Sequence, residues 1–143
     1  MPFSQGVDGN TCGRQRSVIL VVEDEAMLAM ELEQVLTEAG YEVVLAADGP
    51  AALAQCGDPA LRLRAAIADL SLPGGMSGYE ILRGMRALRP GLPVVVVTGY
   101  ALSAPQADLR GLGGPTARLQ KPVDPQRLLQ RLHDVISSNS GVA

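Results

Sequence analysis

Val18-Ile-Leu-Val-Val-Glu-Asp-Glu25 is the stretch that decides the fold. Its first five residues are apolar and four of them are β-branched. A strand with one wet face alternates polar and apolar residues. An unbroken apolar run of this length calls instead for cover on both faces. The run then stops abruptly in three carboxylates, Glu23, Asp24 and Glu25. A doubly covered strand that ends in a cluster of acids implies a buried sheet with chemistry at its rim.

The chain on either side repeats this pattern. Leu28, Leu32, Val35, Leu36 and Ala39 recur at helical spacing, and Gly40 follows as a stop. Glu42–Ala46 reads as a second strand. Asp48-Gly49-Pro50 opens a short helix that turns Leu53 and Cys56 inward, with proline in the first turn where its missing N–H has no partner. Ala65–Asp69 is a third strand. Ile81, Leu82, Met85 and Leu88 line one face of a third helix that ends before Pro90. Val94–Val97 is a fourth strand and Ala117–Gln120 a short fifth. Between these two, Ala101–Pro115 is poor in helix formers, and a short helix over Pro105–Leu112 is the best reading of it. Asp124 is placed to cap the last helix and Pro125 to open it, with Leu128, Leu129, Leu132, Val135 and Ile136 inward.

Strands alternating with helices imply an α/β domain: a doubly wound parallel sheet with helices on both faces. Its 143 residues suit a single domain. Residues 1–16, with three glycines and no apolar period, read as a flexible arm, residues 17–137 as the domain, and residues 138–143 as a loose tail.

Bulk properties exclude several classes. The net charge is −3, so no overall basic field draws nucleic acid or an anionic membrane surface. The longest apolar runs have five residues, against the roughly 20 needed to span a bilayer. The first residues lack the basic start and apolar core of a secretion signal. Cys12 and Cys56 have no metal-like spacing and read as free thiols. A cytoplasmic protein without disulfides is expected.

In doubly wound sheets, ligands bind beyond the carboxyl ends of the strands. There the sequence places Glu23-Asp24-Glu25, Asp69, Thr98 and Lys121, each group from a different strand. Each has a plain alternative. Asp24 can cap a helix, Asp69 can form a turn, Thr98 can be an ordinary strand residue and Lys121 a solvated charge. Jointly they make a complete set for phosphoryl chemistry. Crowded carboxylates suit magnesium, a hard cation with oxygen ligands. One carboxylate can serve as nucleophile toward phosphorus. A hydroxyl and an ammonium can neutralise the transferred oxygens.

Four motifs carry a family resemblance: Ile19-Leu-Val-Val-Glu-Asp-Glu25, Ala68-Asp-Leu-Ser-Leu-Pro-Gly74, Val96-Val-Thr-Gly99 and Gln120-Lys-Pro-Val123. In this order and spacing they resemble the receiver domain of two-component response regulators, over roughly residues 17–136. The resemblance implies a flavodoxin-like (βα)5 domain with strand order 2-1-3-4-5. It implies that Asp69 accepts the phosphoryl group. Asp24 is then a direct magnesium ligand, Glu23 acts through bound water, and the Ser71 carbonyl completes the protein's ligands. Thr98 and Lys121 contact the phosphoryl group, and the Lys121–Pro122 bond is expected to be cis. The implied partners are a sensor histidine kinase or phosphotransfer protein upstream and a protein target downstream, with no direct nucleic acid and no membrane. No enzymatic turnover is implied beyond the domain's own phosphorylation and dephosphorylation.

The chain departs from the family in three places. Arg118 stands where the family usually has an aromatic. The loop Leu72–Gly78 is one residue longer than common. The segment of the fourth helix is weak. Tyr100 either shields the acyl phosphate or simply covers the sheet edge. His133 is expected on the surface of the last helix. Other readings are a degenerate receiver used only for docking, a flavodoxin-like ligand binder and an aspartyl phosphatase. The acids after the first strand would repel a ligand phosphate without a metal, and the Asp-x-Asp pattern of the phosphatases is missing.

Overall fold

The computed structural model describes residues 16–69, 77–99 and 114–140. Among the described residues, five strands and four helices follow one another: β1 (Arg16–Val22), α1 (Ala26–Glu38), β2 (Glu42–Ala46), α2 (Gly49–Cys56), β3 (Leu61–Asp69), α3 (Gly78–Leu88), β4 (Val94–Thr98), β5 (Thr116–Gln120) and α4 (Pro125–Ser140). The strands form one parallel sheet in the order β2-β1-β3-β4-β5. Ser71, Tyr100, Cys12, the turn Leu72–Gly75 and the helix expected over Pro105–Leu112 lie outside the described residues.

The unbroken apolar runs sort by strand alternation into two layers. Leu20, Val22, Ala66, Ala68, Val94 and Val96 face α2 and α3, meeting Ala52, Cys56, Ile81, Leu82 and Met85. Ile19, Val21, Ala65, Ile67, Val95 and Val97 face α1 and α4, meeting Leu32, Leu36, Leu128, Leu132 and Val135. Each fully buried Leu or Ile contributes roughly 1.5–3 kcal/mol. This packing, more than intrinsic propensity, holds short helices in place.

Local signals set the boundaries. Asp48 Oδ1 accepts from the Ala51 N–H at 2.8 Å and starts α2, with Pro50 in the first turn. Ser77 and Glu80 form a reciprocal capping box at α3, with bonds of 3.0 and 2.9 Å. α1 closes at Gly40, whose φ of 98° suits glycine. α4 opens at Pro125, and its first turn closes through the Leu128 N–H onto the Asp124 carbonyl.

Several boundaries and one buried face differ from expectation, β5 among them, which begins at Thr116 rather than Ala117. β1 begins at Arg16, one residue inside the expected arm, because Arg16 pairs with Leu61. β3 begins at Leu61 rather than Ala65. Its first half, Leu61-Arg62-Leu63-Arg64, is an alternating strand that an apolar-run criterion passes over. α4 continues to Ser140, past the expected limit of residue 137, because a helix once formed extends easily through polar residues. Leu88 is 48% exposed, not inward, and Arg86 takes the buried place on α3. Its guanidinium is satisfied there by carbonyls: Nε donates to Leu92 at 3.0 Å and Nη2 to Pro115 at 2.7 Å. Among the described residues, no helix is long and apolar enough to cross a membrane.

Candidate functional site

A parallel sheet gathers all its carboxyl ends on one edge. β1 runs out into Glu23 and Asp24, β3 ends at Asp69, β4 ends at Thr98, and β5 leads into Lys121. Backbone bonds carry the ladder one step further at both places where a charge is needed. The Glu23 N–H donates to the Ala46 carbonyl at 2.9 Å, and the Lys121 N–H to the Thr98 carbonyl at 2.7 Å. Glu23 and Lys121 are therefore held by extensions of the strand ladder, not by free loops.

Glu23, Asp24 and Asp69 each present a carboxylate oxygen, and these oxygens lie within 4.8 Å of one another. Glu23 and Asp69 are buried, while Asp24 is exposed. Lys121 reaches in from β5, with Nζ 2.8 Å from Asp69 Oδ2 and 3.9 Å from Glu23 Oε1. Thr98 is fully buried between the strands that carry Asp69 and Lys121. The Lys121–Pro122 peptide is cis, as expected.

The electrostatics follow from crowding. Burial pushes the Glu23 carboxyl up to about 7. The Glu25 N–H, donating to Oε2 at 3.1 Å, and the Lys121 charge pull it back, while Asp69 and Asp24 push it further up. Burial alone would lower Lys121. Its hydrogen bond to Asp69 and the charges of Asp69, Glu23 and Glu25 outweigh that, and its pKa is raised. Lys121 is thus a firmly held cation among acids that repel one another.

The plain alternatives fare differently. Asp24 does not cap α1, since the cap position is Glu25 and no side chain closes it. Lys121 is not a solvated surface charge but an ion-pair partner of Asp69. Ser71 lies outside the described residues, so the acidic trio stands without it. His133 is exposed on α4, as expected, with Nε2 3.4 Å from Ser137 Oγ. Sequence reasoning gave Glu25 no role. Its backbone N–H steadies Glu23, and its charge adds to the field on Lys121. Only its place right after Glu23-Asp24 could have signalled this.

Three carboxylates at this spacing form the all-oxygen donor set that suits a hard divalent cation. Glu23 and Asp24 follow β1, and Asp69 ends the neighbouring β3.

Comparison with known proteins covers most of the chain. The profile of the response regulator receiver domain matches residues 19–133. TcrA, a transcriptional regulatory protein of Mycobacterium tuberculosis, is 38% identical over 128 residues, covering 87% of this chain and 48% of its own length. The sensory transduction protein RegX3 of Mycobacterium bovis is 35% identical over 118 residues, covering 82% of this chain and 50% of its own length. The chain thus spans about half the length of these curated relatives. Among solved structures, a CheY-like receiver domain from Methanospirillum hungatei superposes with a TM-score of 0.78 at 30% identity, over 90% of this chain and 99% of that one. The receiver domain of the sensor histidine kinase PA1611 from Pseudomonas aeruginosa has a magnesium ion coordinated in its active-site cleft. It superposes with a TM-score of 0.71 at 29% identity, over 86% of this chain and 98% of its own. The sheet order, the residues at its carboxyl edge and a profile match over most of the chain agree, and the chain belongs to the response regulator receiver domains of two-component signalling.

Proposed function

We propose that this receiver takes a phosphoryl group onto Asp69 in a magnesium-dependent step and signals through protein–protein contacts. The observation that carries the reading is the juxtaposition at Asp69. Its carboxylate lies within 4.8 Å of those of Glu23 and Asp24 and 2.8 Å from the Lys121 ammonium. Asp24 and Asp69 would hold the ion directly and Glu23 through water, with the Ser71 carbonyl as a further ligand. When bound, magnesium supplies positive charge against the carboxylates and the phosphoryl oxygens. The magnesium described for the PA1611 receiver supports this assignment.

The chain's own residues do the rest. An Asp69 carboxylate oxygen attacks phosphorus. The bond from phosphorus to the donor's nitrogen breaks, and the departing imidazole keeps the electron pair. Thr98 donates its hydroxyl to one phosphoryl oxygen, and Lys121 exchanges its bond to Asp69 for one to another. The phosphodonor is the phosphohistidine of a sensor kinase or phosphotransfer protein. The setting is cytoplasmic, and the chain acts as a switch without turning over a substrate. Phosphorylation shifts an equilibrium between surface states that a downstream protein distinguishes.

The test is phosphorylation by acetyl phosphate with and without magnesium, read by intact mass. A magnesium-dependent gain of one phosphoryl group that disappears in Asp69→Asn is expected. No gain, or a gain that survives the substitution, overturns the reading in favour of a docking module.

A further inference from the structure

Glu25 takes no part in the chemistry above, yet it stands at the rim of the site. It follows Asp24, occupies the cap position of α1 and is exposed, while Glu23 and Asp69 beneath it are buried. A residue at a helix cap commonly closes the first turn with its side chain. Glu25 does not. Its backbone is tied on both sides instead. The N–H donates to Glu23 Oε2 at 3.1 Å, and the carbonyl accepts from the Ala29 N–H at 2.9 Å. The side chain is left over: among the described residues no hydrogen bond or short ion pair holds its carboxylate. Its charge nevertheless reaches Lys121 and helps to keep that ammonium protonated.

The charges do not balance without it being counted. Glu23, Asp24 and Asp69 already form the acidic trio that suits a divalent cation. Glu25 is a further acid, and Lys121 is the ammonium set against them. A divalent ion would offset two of the carboxylates and Lys121 another, which leaves one negative charge on the solvent side of the site. A fixed charge at a rim acts on whatever enters. It draws cations in and holds anions off, more strongly the more charge they carry.

We propose that Glu25 is a specificity-determining residue whose spare carboxylate tightens the hold on a divalent cation and selects against phosphodonors of high negative charge. The donor half rests on the reading above, in which Asp69 accepts the phosphoryl group. The cation half does not need that reaction. A purely structural role at the start of α1 would alter stability but would treat all donors alike.

The test is Glu25→Gln in the full chain, which keeps the backbone ties and the length of the side chain. Magnesium is titrated into the unphosphorylated protein and followed by amide chemical shifts. Its affinity should fall about threefold at low salt. Labelling is then read by intact mass at saturating magnesium with two small donors. Acetyl phosphate is doubly charged at neutral pH and phosphoramidate singly. The substitution should speed labelling by acetyl phosphate about threefold and labelling by phosphoramidate clearly less, and about 1 M salt should erase both differences. Glu31→Gln, on an exposed acid further along α1, should change neither affinity nor labelling. Unchanged magnesium affinity overturns the cation half. Equal acceleration with both donors, or none, overturns the donor half. The same effects in Glu31→Gln overturn both, because net charge alone would then account for them. If neither donor labels the parent, the reading of Asp69 has failed and the donor half falls with it, while the magnesium titration still decides the cation half.

Discussion

Glu23 sets a measurable cost on the metal-free fold. Its carboxyl is buried beside Asp69 and Asp24, and it titrates near 7 instead of the ordinary 4.5. Between those values the folded protein binds a proton that the unfolded chain has released. Stability attributable to Glu23 is therefore complete below about pH 4.5, falls as pH rises, and levels off above about pH 7. At about 1.4 kcal/mol per pH unit, the span from 4.5 to about 7 makes the full cost about 3 kcal/mol. Glu23→Gln removes the titration but keeps an oxygen to accept the Glu25 N–H. The difference in unfolding free energy between the variant and the parent should grow by about 3 kcal/mol from acid to mildly alkaline pH, in favour of the variant. Urea unfolding in the presence of a chelator, at a series of pH values, reads this directly. Magnesium should erase the growth by neutralising the charge that the variant removes. Two proteins with parallel stability–pH curves in chelator would refute the reasoning, because they would show that burial at this edge does not penalise the Glu23 charge.

Three further outcomes are expected. Lys121→Met keeps the apolar stem but removes the ammonium beside Asp69. It should slow labelling by acetyl phosphate on the order of 10²-fold, while circular dichroism stays unchanged, and undiminished labelling would exclude a role for Lys121. Ser77→Ala removes one half of the capping box at α3 and should cost about 1 kcal/mol in urea unfolding, with no loss counting against the cap. Gly114→Ala places a Cβ 2.8 Å from Arg86 Nε, in a guanidinium fixed by two carbonyls, whereas Gly84→Ala meets the free end of Leu53 at 2.8 Å. The first should therefore cost about 1–3 kcal/mol and the second clearly less, and the reverse order would refute the fixed-guanidinium account.

What the sequence shows depends on the kind of signal. Val18–Val22 and Val94–Val97 announce a doubly covered sheet because burial on both faces leaves no room for a polar residue. Once those strands are parallel, their ends must share an edge, and Glu23, Asp24, Asp69, Thr98 and Lys121 follow. The first half of β3 escapes because Arg62 and Arg64 break the apolar run while keeping period two. Leu88 and Arg86 exchange roles for a reason outside the helix. Carbonyls at Leu92 and Pro115 accept the guanidinium, and nothing in the α3 sequence encodes them. The 2.8 Å contact between Lys121 and Asp69 joins residues 52 apart, so it depends on strand order more than on local pattern.

Arg86 also bears on how the site can respond. It ties the approach to β4, at Leu92, to the residue before β5, Pro115. At the other end of the same two strands, the Lys121 N–H is bonded to the Thr98 carbonyl. In between, the register runs unbroken from Val94 opposite Thr116 to Thr98 opposite Gln120. Sliding one strand past the other would break Arg86's two charge-assisted bonds, at about 1.5–3 kcal/mol each, together with the ladder and the bond at the site. Ligand-driven shifts in proteins seldom exceed a few kcal/mol. Among the described residues, the backbone that carries Thr98 and Lys121 is therefore fixed at both ends, and a charge added to Asp69, as proposed, would be met there by side-chain movement. Lys121 is the prime candidate, since its ammonium already lies within reach of both Asp69 and Glu23.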